Sequence, residues 1–379
     1  MACPVVGDEA RREIPGELSF SAGSVYSRYG RGGGSADEHG IGWIYGAAGY
    51  ETPAWRGFRA GASGVVLQPL FEDTSLSGAY NDVMERNYGL SALYLEYSIP
   101  RSRSMVLSGW SPFKKVEAMD GDVYEGVQFT SRDIPGVEIT FEAIDRWQDN
   151  LSMSMDADGV DADRRNPAED VRGADHWVYA IIVEAGQPGT TGLWRPFCIF
   201  QRDAYYTAGA EAQYLAPLRG EWSLQLDGIA AVYGEQTPDR VSSTDEDAYS
   251  WLLHASLVHE VTAFGIGYYT MSEDERMDAK AVGTYPFDPM EIGPEGGAPG
   301  DRTWYADAGV TLGPAEVLFM YGLTEITSSG ARYSEFDAYV DVECTEEASL
   351  EAYWAVADVH RGLGYDSRTE TGLRFSYAF

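Results

Sequence analysis

Cations are scarce in this 379-residue chain: 27 Lys and Arg stand against 60 Asp and Glu, for a net charge of −33. Phosphate recognition needs a basic surface, so nucleic acid is excluded as a partner. Such a field repels anions and gathers cations. Cysteine is scarcer still. Cys3, Cys198 and Cys344 are odd in number and far apart. That fits neither a disulfide framework nor a zinc site, and no C-x-x-C-H attaches a haem. Five histidines, with no H-E-x-x-H, no compact Ser/His/Asp set and no phosphate-cradling Gly motif, leave no catalytic centre to build. His254, His259 and His360 read as solvated or lumen-facing side chains. "GRGGGS" (30–35) has no following Lys-Ser/Thr and reads as flexible loop.

Long apolar runs are absent too. No stretch of about 18 apolar residues occurs, which excludes a transmembrane helix. A transmembrane β-barrel stays open, because its strands are only about 9–11 residues long and half polar. Residues 1–16 lack the apolar core of a signal peptide. On this reading the protein is cytoplasmic, or a leader was removed before residue 1. Helical periodicity is missing apart from one turn's worth at "NDVMERNYG".

What the chain has is aromatic residues, glycine and alternation. Tyr 25, Trp 10 and Gly 43 suit pleated surfaces, turns and bends. Strand signals recur from "ELSFSAGSVYSRY" (about 17–29) to the terminal "TGLRFSYAF", about 18 in all. The connections alternate. Short ones fall at 52–56, 100–102, 132–135, 217–219, Glu260, Gly313 and Glu346. Long ones fall at 30–40, 69–87, 112–122, 148–174, 233–248, 273–301 and 359–369, with 203–205 a short exception. This rhythm predicts a single all-β, antiparallel up-and-down transmembrane barrel of about 18 strands over 17–379. Short turns would be periplasmic, long loops external, and 1–16 a periplasmic segment. A β-sandwich has no reason to keep such a rhythm.

Parity sets the facing. "SEFDAYVDVEC" separates Phe336, Ala338, Val340 and Val342 from Glu335, Asp337, Tyr339, Asp341 and Glu343. Burying a row of carboxylates without partners costs several kcal/mol each, so the polar face is assigned to a water-filled lumen. Its expected acids are Glu96, Glu138, Glu142, Glu184, Glu211, Asp227, Asp307, Asp337, Asp341, Glu343 and Glu351; its expected cations are Arg59, Arg146 and Arg374. Trp43, Trp110, Trp147, Trp177, Trp222, Trp251 and Trp304 stand near strand ends and are expected in the rim girdles. The acidic loops 156–175 and 272–301 admit a loosely bound divalent cation without matching an EF-hand. No other cofactor is expected.

Three stretches resemble the OprD family of outer-membrane specific porins: "YETPAWRGFRAGASG" (50–64), "LSGWSPFKKVEAMDGDVYEGVQFTSRDIPGVEIT" (107–140) and "ASLVHEVTAFGIGYYTMSEDE" (255–275). The resemblance implies an 18-stranded barrel narrowed by inward-folded loops. It also implies passage of small solutes, often carboxylates, along basic side chains, and a Gram-negative outer membrane. It places the constriction on 111–122, with Lys114 and Lys115 facing Glu117, Asp120 and Asp122. Where the family commonly has Arg before the aromatic-x-Gly, this chain reads "DGDVYEG". The expected function is a passive porin, not an enzyme, with a mild cation preference from its inward acids. The alternatives are a barrel sheathing an electron-transfer partner, an outer-membrane enzyme barrel and a soluble lectin-like protein. Expected partners are small solutes, lipid and lipopolysaccharide, as monomer or trimer. The ending on Leu373, Phe375, Tyr377 and Phe379 resembles the signal read by the barrel-assembly machinery, which places Phe379 at the periplasmic rim.

Overall fold

The computed structural model describes residues 16–31, 38–72, 88–114, 116, 119, 123–148, 164–165, 177–186, 192–202, 205–235, 248–272, 300–327, 329–361 and 367–378. The elements are β1 (Glu17–Arg31), β2 (Glu38–Glu51), β3 (Phe58–Glu72), β4 (Tyr88–Ser98), β5 (Ser104–Ser111) and β6 (Val123–Ser131). Then come β7 (Val137–Gln148), β8 (Arg164–Arg165), β9 (Val178–Gly186), β10 (Leu193–Gln201), β11 (Tyr205–Pro217) and β12 (Ser223–Glu235). The last are β13 (Ala248–His259), β14 (Thr262–Met271), β15 (Asp301–Leu312), β16 (Ala315–Ile326), β17 (Ala331–Glu343), β18 (Ala348–Arg361) and β19 (Ser367–Ala378).

The two-residue β8 touches only the end of β7. The other eighteen strands form one closed ring. Each pairs antiparallel with its neighbours in sequence, β7 pairing directly with β9. The ring closes where β1 meets β19, from Ser21↔Ala378 to Arg31↔Arg368. Closure leaves no unpaired edge, which backbone amides in lipid require.

The two faces are inverted relative to a soluble protein. In β4, Leu93 and Leu95 are exposed while Ala92 and Glu96 are buried; in β14, Phe264 and Ile266 are exposed while Tyr269 and Met271 are buried. Successive side chains point to opposite faces, so one parity of every strand presents large apolar groups outward. Aromatic rings run from strand to strand on this outer surface. Trp251, Tyr268 and Trp304 are spaced 5.0 and 4.5 Å; Phe319, Phe336 and Trp354 are spaced 6.2 and 5.8 Å. An apolar exterior with aromatic bands is the lipid-facing surface of a transmembrane barrel.

One rim carries only tight connections: 52–57, 99–103, 132–136, 187–192, 218–222, 260–261, 313–314 and 344–347. The opposite rim carries the long ones, with two short exceptions at 202–204 and 327–330. Residues 1–15, most of the acidic loops and Phe379 lie outside the described residues.

Trp110 keeps the outward parity, pairing with Leu93 and Glu125, but is only 5% exposed and donates Nε1–H to the Leu90 carbonyl at 3.0 Å. One reading of facing needs correction. Arg146 does not follow the parity of Glu142. The register shifts between Glu125 and Gly126, so that Ile144 pairs with Gly126 and Arg146 with Glu125. Asp145 is the extra residue, and a one-residue bulge flips every side chain beyond it. Arg146 thereby shares the outward face with Glu125, 3.7 Å away.

Candidate functional site

The third long connection enters the barrel. Phe113, Val116 and Met119 are 5%, 2% and 2% exposed and join one cluster with Tyr124, Ile144, Val178, Ile182, Phe197 and Ile199. The Met119 amide donates to the Val116 carbonyl at 2.8 Å, turning the segment back on itself. Fully burying an apolar side chain is worth about 1.5–3 kcal/mol, so three such anchors seat the segment firmly. This amends the expectation of an evenly polar interior. Towards the long-loop rim, the inward parity of β6, β7, β9 and β10 is apolar because it receives this segment.

Beside the anchors lies an ion-pair row. Lys114 Nζ sits between Glu138 and Glu184, the latter at 3.0 Å. Arg132 holds the other oxygen of Glu138. Arg195 reaches Glu184 at 2.8 Å and Glu211 at 2.6 Å. The sheet register sets these up: Glu138 faces Glu184 across β7–β9, and Arg195 faces Glu211 across β10–β11. Two acids placed directly opposite repel, and Lys114 resolves the repulsion by inserting between them.

The row continues around the wall in polar form. Gln213 and Gln225 donate to the two oxygens of Asp227 at 3.0 and 2.8 Å. His254 lies 3.7 Å from Asp227 through Nδ1 and 2.7 Å from Asp307 through Nε2. Elsewhere Arg59 joins Glu51 and Glu96 at 2.8 and 2.6 Å, and Tyr94 donates to Glu51. Arg374 binds Glu351. Glu142 accepts from Gln128 at 2.6 Å, and Glu370 from Tyr353 at 2.6 Å. Glu316, Asp341 and Glu343, in contrast, have no cation partner among the described residues.

Strand register thus puts Arg59, Glu96, Glu138, Glu142, Glu184, Glu211, Asp227, Asp307, Asp337, Asp341, Glu343, Glu351 and Arg374 on the inward parity, and Arg146 on the other. Of the expected constriction, Lys114 is on the inward segment; Lys115, Glu117, Asp120 and Asp122 lie outside the described residues. Arg195 and Glu51 were not legible. Arg195 sits in "LWRPFCIFQ", apolar on both parities, and only its register with Glu211 gives its facing. Among the described residues no group of three or more His, Cys, Asp or Glu could hold a metal ion.

No family model matches the chain, and no curated protein does. Solved structures do. Pseudomonas aeruginosa OccK9 (OpdG) superposes with a TM-score of 0.76 at 13% identity, covering 96% of this chain and 98% of that one. Acinetobacter baumannii OccAB1 gives 0.75 at 13%, covering 96% of each chain. P. aeruginosa OpdK, crystallised with vanillate, gives 0.73 at 13%, covering 96% and 98%. The outer membrane protein OprD from P. aeruginosa gives 0.71 at 13%, covering 96% and 93%. The chain has the fold of the OprD and Occ barrels over nearly its whole length.

Proposed function

We propose that this protein is an outer-membrane porin of a Gram-negative bacterium: a passive channel for small hydrophilic solutes, narrowed by the inward segment around 113–119 and preferring cations. The shared fold supports the porin reading, and the apolar exterior suits a lipid setting. The observation that carries the charge preference is the state of the interior cations. Lys114, Arg195 and Arg59 are each held between two carboxylates, and Arg374 is bound to Glu351. Glu316, Asp341 and Glu343 have no cation partner among the described residues. Among the described side chains, a permeating anion finds these four cations already neutralised, while a permeating cation finds unmatched acids. This runs against the organic-acid expectation drawn from the resemblance, and against a transfer of OpdK's vanillate to this chain. The test is the zero-current potential of single channels in a planar bilayer under a salt gradient. Cation selectivity is expected. Clear anion selectivity, or block by millimolar aromatic carboxylates, would overturn the charge assignment; absence of conductance would overturn the channel.

A further inference from the structure

The scarce cations are unevenly placed. On the tight-turn rim, the connections β2–β3, β4–β5, β6–β7 and β11–β12 carry Arg56, Arg101, Arg103, Arg132 and Arg219 against Asp133 and Glu221. All five arginines are exposed. The remaining described turns of that rim, 260–261, 313–314 and 344–347, carry Glu260, Glu346 and Glu347 and no cation. Half of the rim is basic and half acidic, in a chain of net charge −33.

The two acids of the basic half are already engaged. Asp133 accepts from the Arg103 backbone N–H at 2.6 Å, from Ser102 Oγ at 2.7 Å and from Ser104 Oγ at 3.1 Å. Glu221 lies 3.3 Å from His259 Nε2. Arg132 is taken by Glu138. The guanidiniums of Arg56, Arg101, Arg103 and Arg219 have no carboxylate partner among the described residues. Backbone bonds tie neighbouring structure together here: Ser98 N–H to Gly57 O at 2.8 Å, and Arg132 N–H to Arg103 O at 3.1 Å. The first three turns therefore present one continuous face.

Apolar groups accompany the charges. Trp55 is 66% exposed with the Arg56 guanidinium 4.9 Å over its ring, and Ile134, Leu218 and Trp222 are exposed nearby. Guanidiniums level with amphipathic rings are what the headgroup layer of a leaflet selects, and the planar fork of Arg fits phosphate oxygens two at a time. We propose that this half-rim binds the phosphate of anionic phospholipid in the leaflet that meets the tight turns, leaving the acidic half to zwitterionic lipid. The site rests on the barrel spanning a membrane, and is independent of what it conducts.

The test is competition between phosphatidylglycerol and phosphatidylcholine of matched chains for the detergent-purified barrel, with bound lipid counted by native mass spectrometry. R101Q/R103Q/R219Q is compared with R302Q/R332Q at the opposite rim, and each preparation is also inserted into planar bilayers. The wild type is expected to prefer phosphatidylglycerol by about tenfold. The preference should fall to near unity in the triple variant and in salt on the order of 0.5 M, and persist in the opposite-rim variant. The replaced arginines are exposed, so the triple variant is expected to fold and conduct. Equal retention of both lipids by a conducting wild type overturns the site and leaves the channel standing. So does an unchanged preference in the triple variant, or an equal loss in the opposite-rim variant. Failure to insert overturns both.

Discussion

His254 Nε2 lies 2.7 Å from Asp307 Oδ2, although β13 and β15 are separated by β14. Gly265 is what permits it. A Cβ there would stand 2.2 Å from His254 Nε2 and 2.3 Å from Asp307 Oδ2. Two residues on, Tyr305 lies over Gly267 in the same way and stacks on His254 at 5.6 Å. Bare backbone on β14 lets side chains from either side meet across it. Gly265→Ala should push the pair apart and cost about 1 kcal/mol, the worth of a typical hydrogen bond. In an Asp307→Ala background the same change should cost clearly less, because the bridge is already gone. Unfolding in detergent, read as a double-mutant cycle, checks this; equal costs in both backgrounds would assign the glycine another role.

Lys114 ties the inward segment to the wall through Glu138 and Glu184. Lys114→Met keeps the stem and removes the charge, leaving two facing carboxylates without a mediator. Two effects are expected. The channel should become more cation-selective, since a positive group leaves the lumen. The segment should also loosen, raising current noise. Single-channel recording reads both. Val116→Asp attacks the apolar anchors instead, since an unpaired buried charge costs several kcal/mol. It should raise mean conductance and expose 112–122 to protease; unchanged conductance would mean that the segment does not limit flow.

The barrel was legible because two local signals agree along its length: alternation within strands and alternation of loop length. Closure follows from both. The same alternation groups the strand acids on the face opposite the apolar exterior. What escaped were features decided by single residues off the regular pattern. The bulge at Asp145 reverses Arg146. Arg195 escaped because its strand is apolar on both parities, as a wall shared between lipid and the inward segment must be. The pairing of lumen cations escaped for another reason. Which acids flank Lys114 depends on the register of β7 against β9, and that register is a long-range property of the sheet.

Glu316, Asp341 and Glu343 offer a clean separation of selectivity from stability. Each is exposed and has no cation partner among the described residues. Neutralising all three as Gln or Asn should lower the cation-to-anion permeability ratio by about two- to threefold while leaving stability within about 0.5 kcal/mol per site. Zero-current potentials and detergent unfolding on the same preparations would show it. A large loss of stability would mean that these acids hold the wall together.

Asp133 sets a pH signature outside the membrane-spanning strands. The Arg103 backbone N–H, then the hydroxyls of Ser102, Ser104 and Ser131, bond its ionised form and hold its pKa below the ordinary aspartate value of 3.8. A carboxylate lowered on folding adds stability that is fully present above the unfolded pKa and is lost as pH falls through the folded one. Asp133→Asn removes the ionised acceptor. The variant should therefore be less stable than the wild type at pH 7, and by the same margin at pH 5. The gap should close below about pH 4, near the reference aspartate value, as the wild-type carboxyl takes up its proton. Thermal unfolding of both proteins across that range reads the gap directly. A gap that held constant down to pH 2 would trace the loss to packing of the 132–136 turn rather than to charge.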